Sequence, residues 1–282
     1  MQDAYAHCEA VVRAADKDRF LAALFAPAGL RRHLHALYAF NSEILRVREA
    51  AREVLPGEIR LQWWRDALSG EARGEANANP IAAALLDTIA QCGLPLEPLL
   101  GLIDAHGFDL YDEPMVKLAE LDGYGRATEG ALMTLGARIL AGGTEPAPDA
   151  AAASAGVACA VAHCLRSFPA DVSRRQMFVP LELLERHGVS PAEVETRSNS
   201  PGLRAAMTEL RGHARAALVQ FRGGAAAAIP ERCAPAFLVV AVVPAWLARL
   251  DRAAGDPFTP VEVPQWRRQW AIWRAARRWP AL

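Results

Sequence analysis

The fold of this chain is decided by residues 37–68, which read LYAFNSEILRVREAAREVLPGEIRLQWWRDAL. Apolar side chains recur there at intervals of three and four residues, the spacing of one helix face. Pro56 and Gly57 interrupt the pattern, because both residues favour turns over helix interiors. The stretch therefore predicts two amphipathic helices, over 29–53 and 55–69.

The first of these helices lacks the carboxylates that a metal-binding helix needs. Residues i and i+4 lie on the same helix face, so two acids at that spacing can bind one magnesium ion. Leu45 and Glu49 occupy such a pair of positions, beside Arg46 and Arg48. One carboxylate among arginines does not assemble a metal cluster. We expect Glu49 to form an ion pair with Arg46, Arg48 or Arg52 on a charged, solvated face.

The remainder of the 282 residues has the same helical spacing, and alternating β-branched runs are almost absent. The sequence predicts one all-α domain, residues 1–282, because its longest loops are too short for domain linkers. Further helices are predicted over 3–16, 19–26, 80–91, 95–107, 117–140, 150–168, 179–187, 201–226, 231–252 and 264–278.

Composition excludes several classes of protein. The net charge of −1 gives no overall attraction to nucleic acid, and no nucleic-acid-reading motif is visible. Five cysteines without CxxC spacing argue against disulfides and structural zinc, and indicate a reducing compartment. The N-terminus lacks the apolar core of a secretory signal. The apolar run 234–250 is too short to span a bilayer. We therefore expect a cytoplasmic protein, with peripheral attachment to the inner face of the cytoplasmic membrane left open.

A second polar helix face is predicted in residues 158–180, which read ACAVAHCLRSFPADVSRRQMFVP. His163, Ser167 and Asp171 follow one another at four-residue spacing, so they share one face. Histidine and serine are poor magnesium ligands. A Ser–His nucleophilic pair has no accompanying oxyanion site, so a buried, hydrogen-bonded His163 is the simpler interpretation. Pro169 is expected to break the helix between Ser167 and Asp171.

These segments resemble the squalene/phytoene synthase family. The residues 60–68 (RLQWWRDAL) and 158–180 carry the resemblance, with weaker matches over about residues 15–250. It implies an isoprenoid-synthase helical bundle around a central apolar cavity, in which two aspartate motifs hold Mg²⁺ against a prenyl diphosphate. The family's catalytic positions fall on Glu49, Ser167 and Asp171. Its substrate-binding positions fall on Arg46, Tyr124, His163 and Arg174.

Where this sequence departs from the family pattern, it resembles one branch of that family, the mitochondrial complex I assembly factor and its alphaproteobacterial relatives. Asn41 and Glu43 match the "AFN.E" of that branch. The resemblance implies a non-catalytic assembly or scaffold protein for respiratory complex I, at the membrane and without a cofactor. The alternative is a prenyltransferase that joins two prenyl diphosphates head to head, which would need Glu49, Asp171 and also Asp109 to gather the Mg²⁺. A third possibility is a protein that keeps an isoprenoid or other lipid in the cavity, with Arg46 near the anionic head.

The C-terminal segment 264–279 is basic and rich in tryptophan. Trp266, Trp270 and Trp273 lie on one helix face, and the segment contains no acid. With Arg267 and Arg274 beside them, these tryptophans are typical of a helix at a membrane surface. The alternative is that the tryptophans pack on the helical body while the arginines remain in water.

Overall fold

The computed structural model describes residues 1–50, 53–72, 75–111, 113–142 and 149–280, apart from the side chains of residues 49, 50 and 75. Throughout these ranges the regular structure is helical, without a strand. The prediction of an all-α fold is confirmed. The α-helices are α1 Gln2–Ala15, α2 Lys17–Ala23, α3 Ala28–Ala50, α4 Val54–Ser69, α5 Glu75–Ala78, α6 Pro80–Cys92, α7 Glu97–Gly107, α8 Leu118–Gly125, α9 Ala131–Ala141, α10 Asp149–Ser173, α11 Leu181–Arg186, α12 Pro191–Glu195, α13 Pro201–Gln220, α14 Val243–Arg252 and α15 Gln265–Arg278.

The two helices of residues 37–68 pack against each other through their apolar faces. Leu37, Phe40 and Ile44 of α3 are almost completely buried, at the three- and four-residue spacing that places them on one side. The Phe40 ring meets the edge of Trp64 on α4, with ring centroids 5.1 Å apart. Edge-to-face contacts of this kind add to the free energy gained by burying the rings. The "WW" segment thus fixes α4 against α3.

Helix α10 is the centre of the bundle and packs against α8, α13 and α14. By length and composition it could cross a membrane, but 72% of its most apolar window is buried inside the protein. It approaches α8 closely because Gly156 has no side chain. A Cβ atom at Gly156 would lie 2.6 Å from both the Gly125 carbonyl oxygen and the Gly130 nitrogen. Only glycine fits this crossing.

The predicted helix over 117–140 is one helical run that contains a π turn. Arg126–Gly130 forms the π turn between α8 and α9. The Thr128 hydroxyl donates a hydrogen bond to the Tyr124 carbonyl over 2.7 Å within this run. A π turn inserts one residue into the helical repeat, and such insertions often occur at functional sites. Here the inserted turn includes Glu129, which faces the cavity described below.

Two sequence predictions about proline are corrected by the structure. Pro169 does not break α10, which continues to Ser173. Proline forfeits only one backbone hydrogen bond, and the buried Phe168 and Val172 keep this last part of α10 in the core. The predicted helix over 231–252 is instead two 3₁₀ turns, Glu231–Ala236 and Leu238–Val242, followed by α14. Pro235 lies inside the first turn and Pro244 in the first turn of α14, so no continuous α-helix forms.

Helix α15 covers one end of the bundle. Its inner residues Ile272 and Ala275 are buried against α2 and the Leu238–Val242 turn. The ion pair between Arg268 and Asp18, 2.5 Å long, joins α15 to α2 as well. The outer face of α15 therefore points away from the bundle.

Candidate functional site

A cavity of about 750 Å³ opens between α2, α3, α8, α10 and α15. The sequence predicts an apolar lining, and the lining combines apolar side chains with many charged ones. Seven lysine or arginine residues and five aspartate or glutamate residues of the described chain line the cavity. Apolar contacts remain on part of the wall, where Leu121, Phe178, Val239, Val242 and Val243 lie. Five of these charges, on Asp16, Asp18, Arg19, Glu129 and Arg268, form ion pairs with one another, which lowers the cost of burying them.

The α3 residues at the position of the family's first aspartate motif line the cavity, but they include no aspartate. Leu45 and Arg46 both line the cavity. The Arg46 guanidinium forms a 3.2 Å ion pair with Glu43, on its own helix. The Glu49 side chain lies outside the described residues, so its predicted role stays a prediction. A leucine and an arginine therefore stand where the family resemblance places part of a metal site.

On α10, His163, Ser167 and Asp171 line the cavity together, as their spacing predicts. The Ser167 hydroxyl donates a 2.5 Å hydrogen bond to one Asp171 carboxylate oxygen. Burial raises the pKa of Asp171 to about 6, and the Ser167 hydrogen bond and the Arg174 charge only partly oppose that rise. Arg174, a predicted substrate-binding residue, also lines the cavity. Asp171 is therefore a partly protonated acid near neutral pH.

His163 differs from the buried histidine that the sequence predicts. Its side chain is exposed to the cavity, although helices surround the cavity itself. The Arg166 guanidinium lies 3.2 Å from its Nδ1 atom. Since arginine can only donate, Nδ1 accepts and the proton resides on Nε2. Enclosure of the cavity by the surrounding helices, followed by the Arg166 charge, lowers the pKa of His163 to about 3, so the ring is neutral.

Arg166 and Arg268 converge on one tryptophan in the cavity wall. Their guanidinium carbons lie 4.7 Å and 6.0 Å from the centre of the Trp246 ring. Arg268 pairs with Asp18, yet its buried Nε atom has no hydrogen-bond partner. Among the described residues no carboxylate lies within ion-pair distance of Arg166. Burial, and then the Arg268 charge, lower the pKa of Arg166. Sequence reasoning missed this cluster, because α10 and α15 are about a hundred residues apart.

A second cluster joins Tyr124, a predicted substrate-binding residue, to His106 and Asp109. His106 Nδ1 lies 2.6 Å from Asp109, and the Tyr124 hydroxyl lies 3.2 Å from both Asp109 carboxylate oxygens. The Gln176 amide donates a hydrogen bond to the Asp109 carbonyl oxygen over 2.5 Å. Burial and the neighbouring Asp109 charge raise the pKa of Tyr124 well above its usual value. The hydroxyl therefore stays protonated and holds the carboxylate in place.

Arg19 lines the cavity together with two carboxylates. Its guanidinium forms ion pairs with Asp16 at 2.7 Å and with Glu129 of the π turn at 2.5 Å. Burial disfavours the charge on Arg19, but the carboxylates outweigh that effect and raise its pKa. Sequence reasoning missed Arg19 and Glu129, which are 110 residues apart. The only local signal is Asp16, which also caps α2 by accepting the Arg19 backbone N–H.

The side chains that the structure describes around the cavity do not fit magnesium held against a diphosphate. Two or more free carboxylates are needed on facing helices. Asp109 is bound to His106 and Tyr124, Asp171 is bound to Ser167, and α3 contributes Leu45 at the facing position. Within the described part of the chain no group of three histidine, cysteine, aspartate or glutamate side chains is arranged to hold a metal ion.

The helical bundle and its polar cavity define a protein of the isoprenoid-synthase class, and the chain belongs to the squalene/phytoene synthase family, whose model matches residues 12–274. Assembly factor 6 of NADH dehydrogenase (ubiquinone) complex I from Rattus norvegicus is 29% identical over 258 residues, covering 92% of this chain and 77% of the relative. The 15-cis-phytoene synthase of Synechocystis is 26% identical, covering 73% of this chain and 64% of that enzyme.

Solved structures agree with this family assignment. The squalene synthase HpnC from Alicyclobacillus acidocaldarius superposes with a TM-score of 0.76 at 25% identity, over 91% of this chain and 96% of that one. A dehydrosqualene synthase superposes with a TM-score of 0.79 at 18% identity, over 98% and 96% of the two chains. The isoprenoid-synthase fold predicted from residues 37–68 and 158–180 is confirmed.

The predicted membrane residues lie on the outer face of α15. Trp266, Trp270 and Trp273 are 64%, 57% and 40% exposed. Arg267 and Arg274 are exposed beside them. The expected alternative, in which these three tryptophans pack on the helical body, is therefore wrong; Ile272 and Ala275 make that contact instead.

Proposed function

We propose that this protein is a non-catalytic member of its family that acts in the assembly of respiratory complex I. One observation carries the proposal: Leu45 and Ser167 occupy facing cavity positions where a magnesium-binding site needs carboxylates. The remaining acid, Asp171, forms a hydrogen bond with Ser167 inside the protein. The family's reaction has thereby lost its means of neutralising a diphosphate leaving group.

The relatives support the choice of complex I. Proteins named as complex I assembly factor 6 match this chain over about nine tenths of its length in rat and mouse. The phytoene synthases match a shorter part. The proposal therefore assigns complex I subunits as partners and no catalytic cofactor. It places the protein in the cytoplasm, peripheral to the inner face of the cytoplasmic membrane, and the five free thiols suit that compartment.

A deletion strain tests the assembly role. Loss of the gene is expected to lower complex I content on native gels and the NADH:ubiquinone activity of membranes. Re-expression of the wild-type chain, and of Asp171→Asn and Ser167→Ala variants, is expected to restore both. Normal complex I in the deletion strain contradicts the proposal. If the Asp171→Asn variant is folded and membrane-bound but alone fails to restore complex I, the acid performs chemistry.

An enzymatic assay decides between this role and head-to-head prenyl transfer. The purified protein is incubated with farnesyl or geranylgeranyl diphosphate and Mg²⁺, and diphosphate release is measured. We expect no release above that of the Asp171→Ala variant. Release that depends on Asp171 and Mg²⁺ assigns the protein to the prenyltransferases and contradicts the non-catalytic role.

The arginine cluster favours a second candidate function, retention of an anionic amphiphile in the cavity. Arg166 has no carboxylate in range among the described residues, and the buried Arg268 Nε lacks a hydrogen-bond partner. A phosphate or carboxylate head satisfies both groups without a metal, while the chain of the ligand contacts Val239, Val242 and Val243. Native mass spectrometry of freshly purified protein tests this candidate. A retained lipid that Arg166→Gln loses supports it, and ligand-free spectra contradict it.

A further inference from the structure

Helix α15 has two faces of opposite character. Its inner face is apolar and buried, through Ile272 and Ala275. Its outer face carries Trp266, Trp270 and Trp273 within about 60° of the helix circumference, at 100° per residue. Three exposed tryptophans on one short helix are not required for folding, because the inner face already attaches α15 to the bundle.

The exposed tryptophans are accompanied by arginine and by no acid. Arg267, Arg274, Arg277 and Arg278 are all exposed, and the last acid before them is Glu262. The Arg267 and Arg277 guanidinium groups each lie 5.2 Å from the centre of a neighbouring indole, that of Trp266 and of Trp273. No described acid forms an ion pair with these four arginines, so their charge faces solvent uncompensated.

Two of the exposed indole rings pack against each other. Trp270 and Trp273 are stacked, with ring centroids 5.0 Å apart and an angle of 21° between their planes. Leu24 and Phe25, at the end of α2 on which α15 packs, are also exposed. Ordered side chains lose less conformational entropy on binding than mobile ones. The patch is therefore prepared for contact with an apolar surface.

We propose that the outer face of α15 docks on an anionic lipid bilayer. Tryptophan and arginine together fit the boundary between headgroups and acyl chains, because the indole is apolar with one polar atom and the guanidinium reaches the phosphates. Four arginines without acids complement the negative surface charge of the bilayer. A protein partner would have to present acids that match these arginines, and that occupant is distinguished by the test below. This inference rests on the membrane placement of the proposed function and assigns the surface that makes the contact, but it does not require the assembly role.

Vesicle flotation tests the proposal directly. We expect the full-length protein to bind vesicles of equimolar phosphatidylcholine and phosphatidylglycerol, to ignore pure phosphatidylcholine, and to dissociate as salt is raised. Replacing each exposed α15 arginine by glutamine lowers the partition coefficient roughly fivefold, the effect of one basic residue near an anionic membrane. The W266A/W270A/W273A variant is expected to lose about tenfold or more.

A matched control keeps the experiment decisive. Leu55, Ile59 and Val219 are exposed apolar residues on other helices, at 64%, 62% and 68% exposure. Their triple alanine variant removes a comparable apolar set and is expected to bind vesicles like wild type. Circular dichroism establishes that each variant is folded. A second readout, quenching of tryptophan fluorescence by brominated lipid, is expected for wild type.

Three results overturn the proposal. The first is absence of binding to anionic vesicles by the folded wild-type protein. The second is equal loss of binding in the control variant. The third is a tryptophan variant that binds vesicles normally but no longer co-purifies with complex I subunits, which assigns the surface to a protein partner instead.

Discussion

The hydroxyl of Ser167 donates a 2.5 Å hydrogen bond to the carboxylate of Asp171, one helical turn further along α10. A pair of acids at this spacing would repel each other and bind a cation between them. A serine and an acid satisfy each other instead. The surviving acid of the motif thus has an internal partner.

Replacing Ser167 by aspartate is expected to make the protein sensitive to magnesium. Two carboxylates at i and i+4 in this cavity repel each other and cost roughly 1–3 kcal/mol of unfolding free energy at neutral pH. Mg²⁺ is expected to recover part of that loss by binding both acids. Thermal unfolding with and without Mg²⁺ measures the effect. The Ser167→Asn control and the wild type are expected to keep the same Tm in both conditions.

Asp171→Asn is expected to gain stability relative to wild type as pH rises from about 4 to about 6. The folded-state pKa of Asp171 is raised to about 6, so between these values the folded state binds more protons than the unfolded state. The wild type therefore loses stability as pH rises through this window, by up to roughly 2 kcal/mol, and asparagine does not. Urea unfolding of both proteins at several pH values measures the difference. A difference independent of pH contradicts the prediction.

Gly156→Ala is expected to destabilise the protein by roughly 2–4 kcal/mol, because its Cβ atom collides with backbone on α8 and the π turn. Gly212, in the exposed part of α13, is the matched control, since no atom lies within 4 Å of a Cβ built there. Gly212→Ala is expected to stabilise by about 0.5–1 kcal/mol through helix propensity. Denaturant unfolding of the two variants measures whether the free energy of unfolding falls for Gly156→Ala and rises for Gly212→Ala.

His163 is expected to stay neutral down to about pH 4, because its pKa is about 3. Imidazole NMR shifts measured against pH report this directly. Arg166→Gln is expected to raise the pKa of His163 by removing the adjacent positive charge. The Arg60→Gln control changes an exposed arginine on α4 and is expected to leave the titration unaltered. A wild-type His163 that titrates near pH 6 contradicts the geometry described above.

Much of the fold was predictable because its signals are local. The apolar spacing through Leu37, Phe40 and Ile44 follows directly from helix geometry, and the same residues form the core. Pro169 shows the limit of such reasoning. Proline disfavours helix interiors locally, but burial of its neighbours outweighs that preference. The neighbouring Phe168 ring packs on Phe258, which lies far along the chain.

The parts of the candidate site that lie on one helix could be predicted, and the contacts between helices could not. His163, Ser167 and Asp171 share a face of α10, so their spacing places them together. The partners that determine their chemistry come from other segments. Arg19 reaches Glu129 across 110 residues, and Arg268 reaches Asp18 across 250. No periodicity within one helix contains that information, so the charged part of the cavity lining could not be predicted.

The arginines in the cavity wall have a consequence for how this protein depends on its surroundings. A magnesium ion exchanges with the medium, so the charge of a metal-loaded site follows the supply of the ion. A guanidinium is covalently part of the chain and keeps its proton under all physiological conditions. The positive charge of this cavity is therefore set when the chain is translated. Neither chelators nor magnesium starvation can remove it.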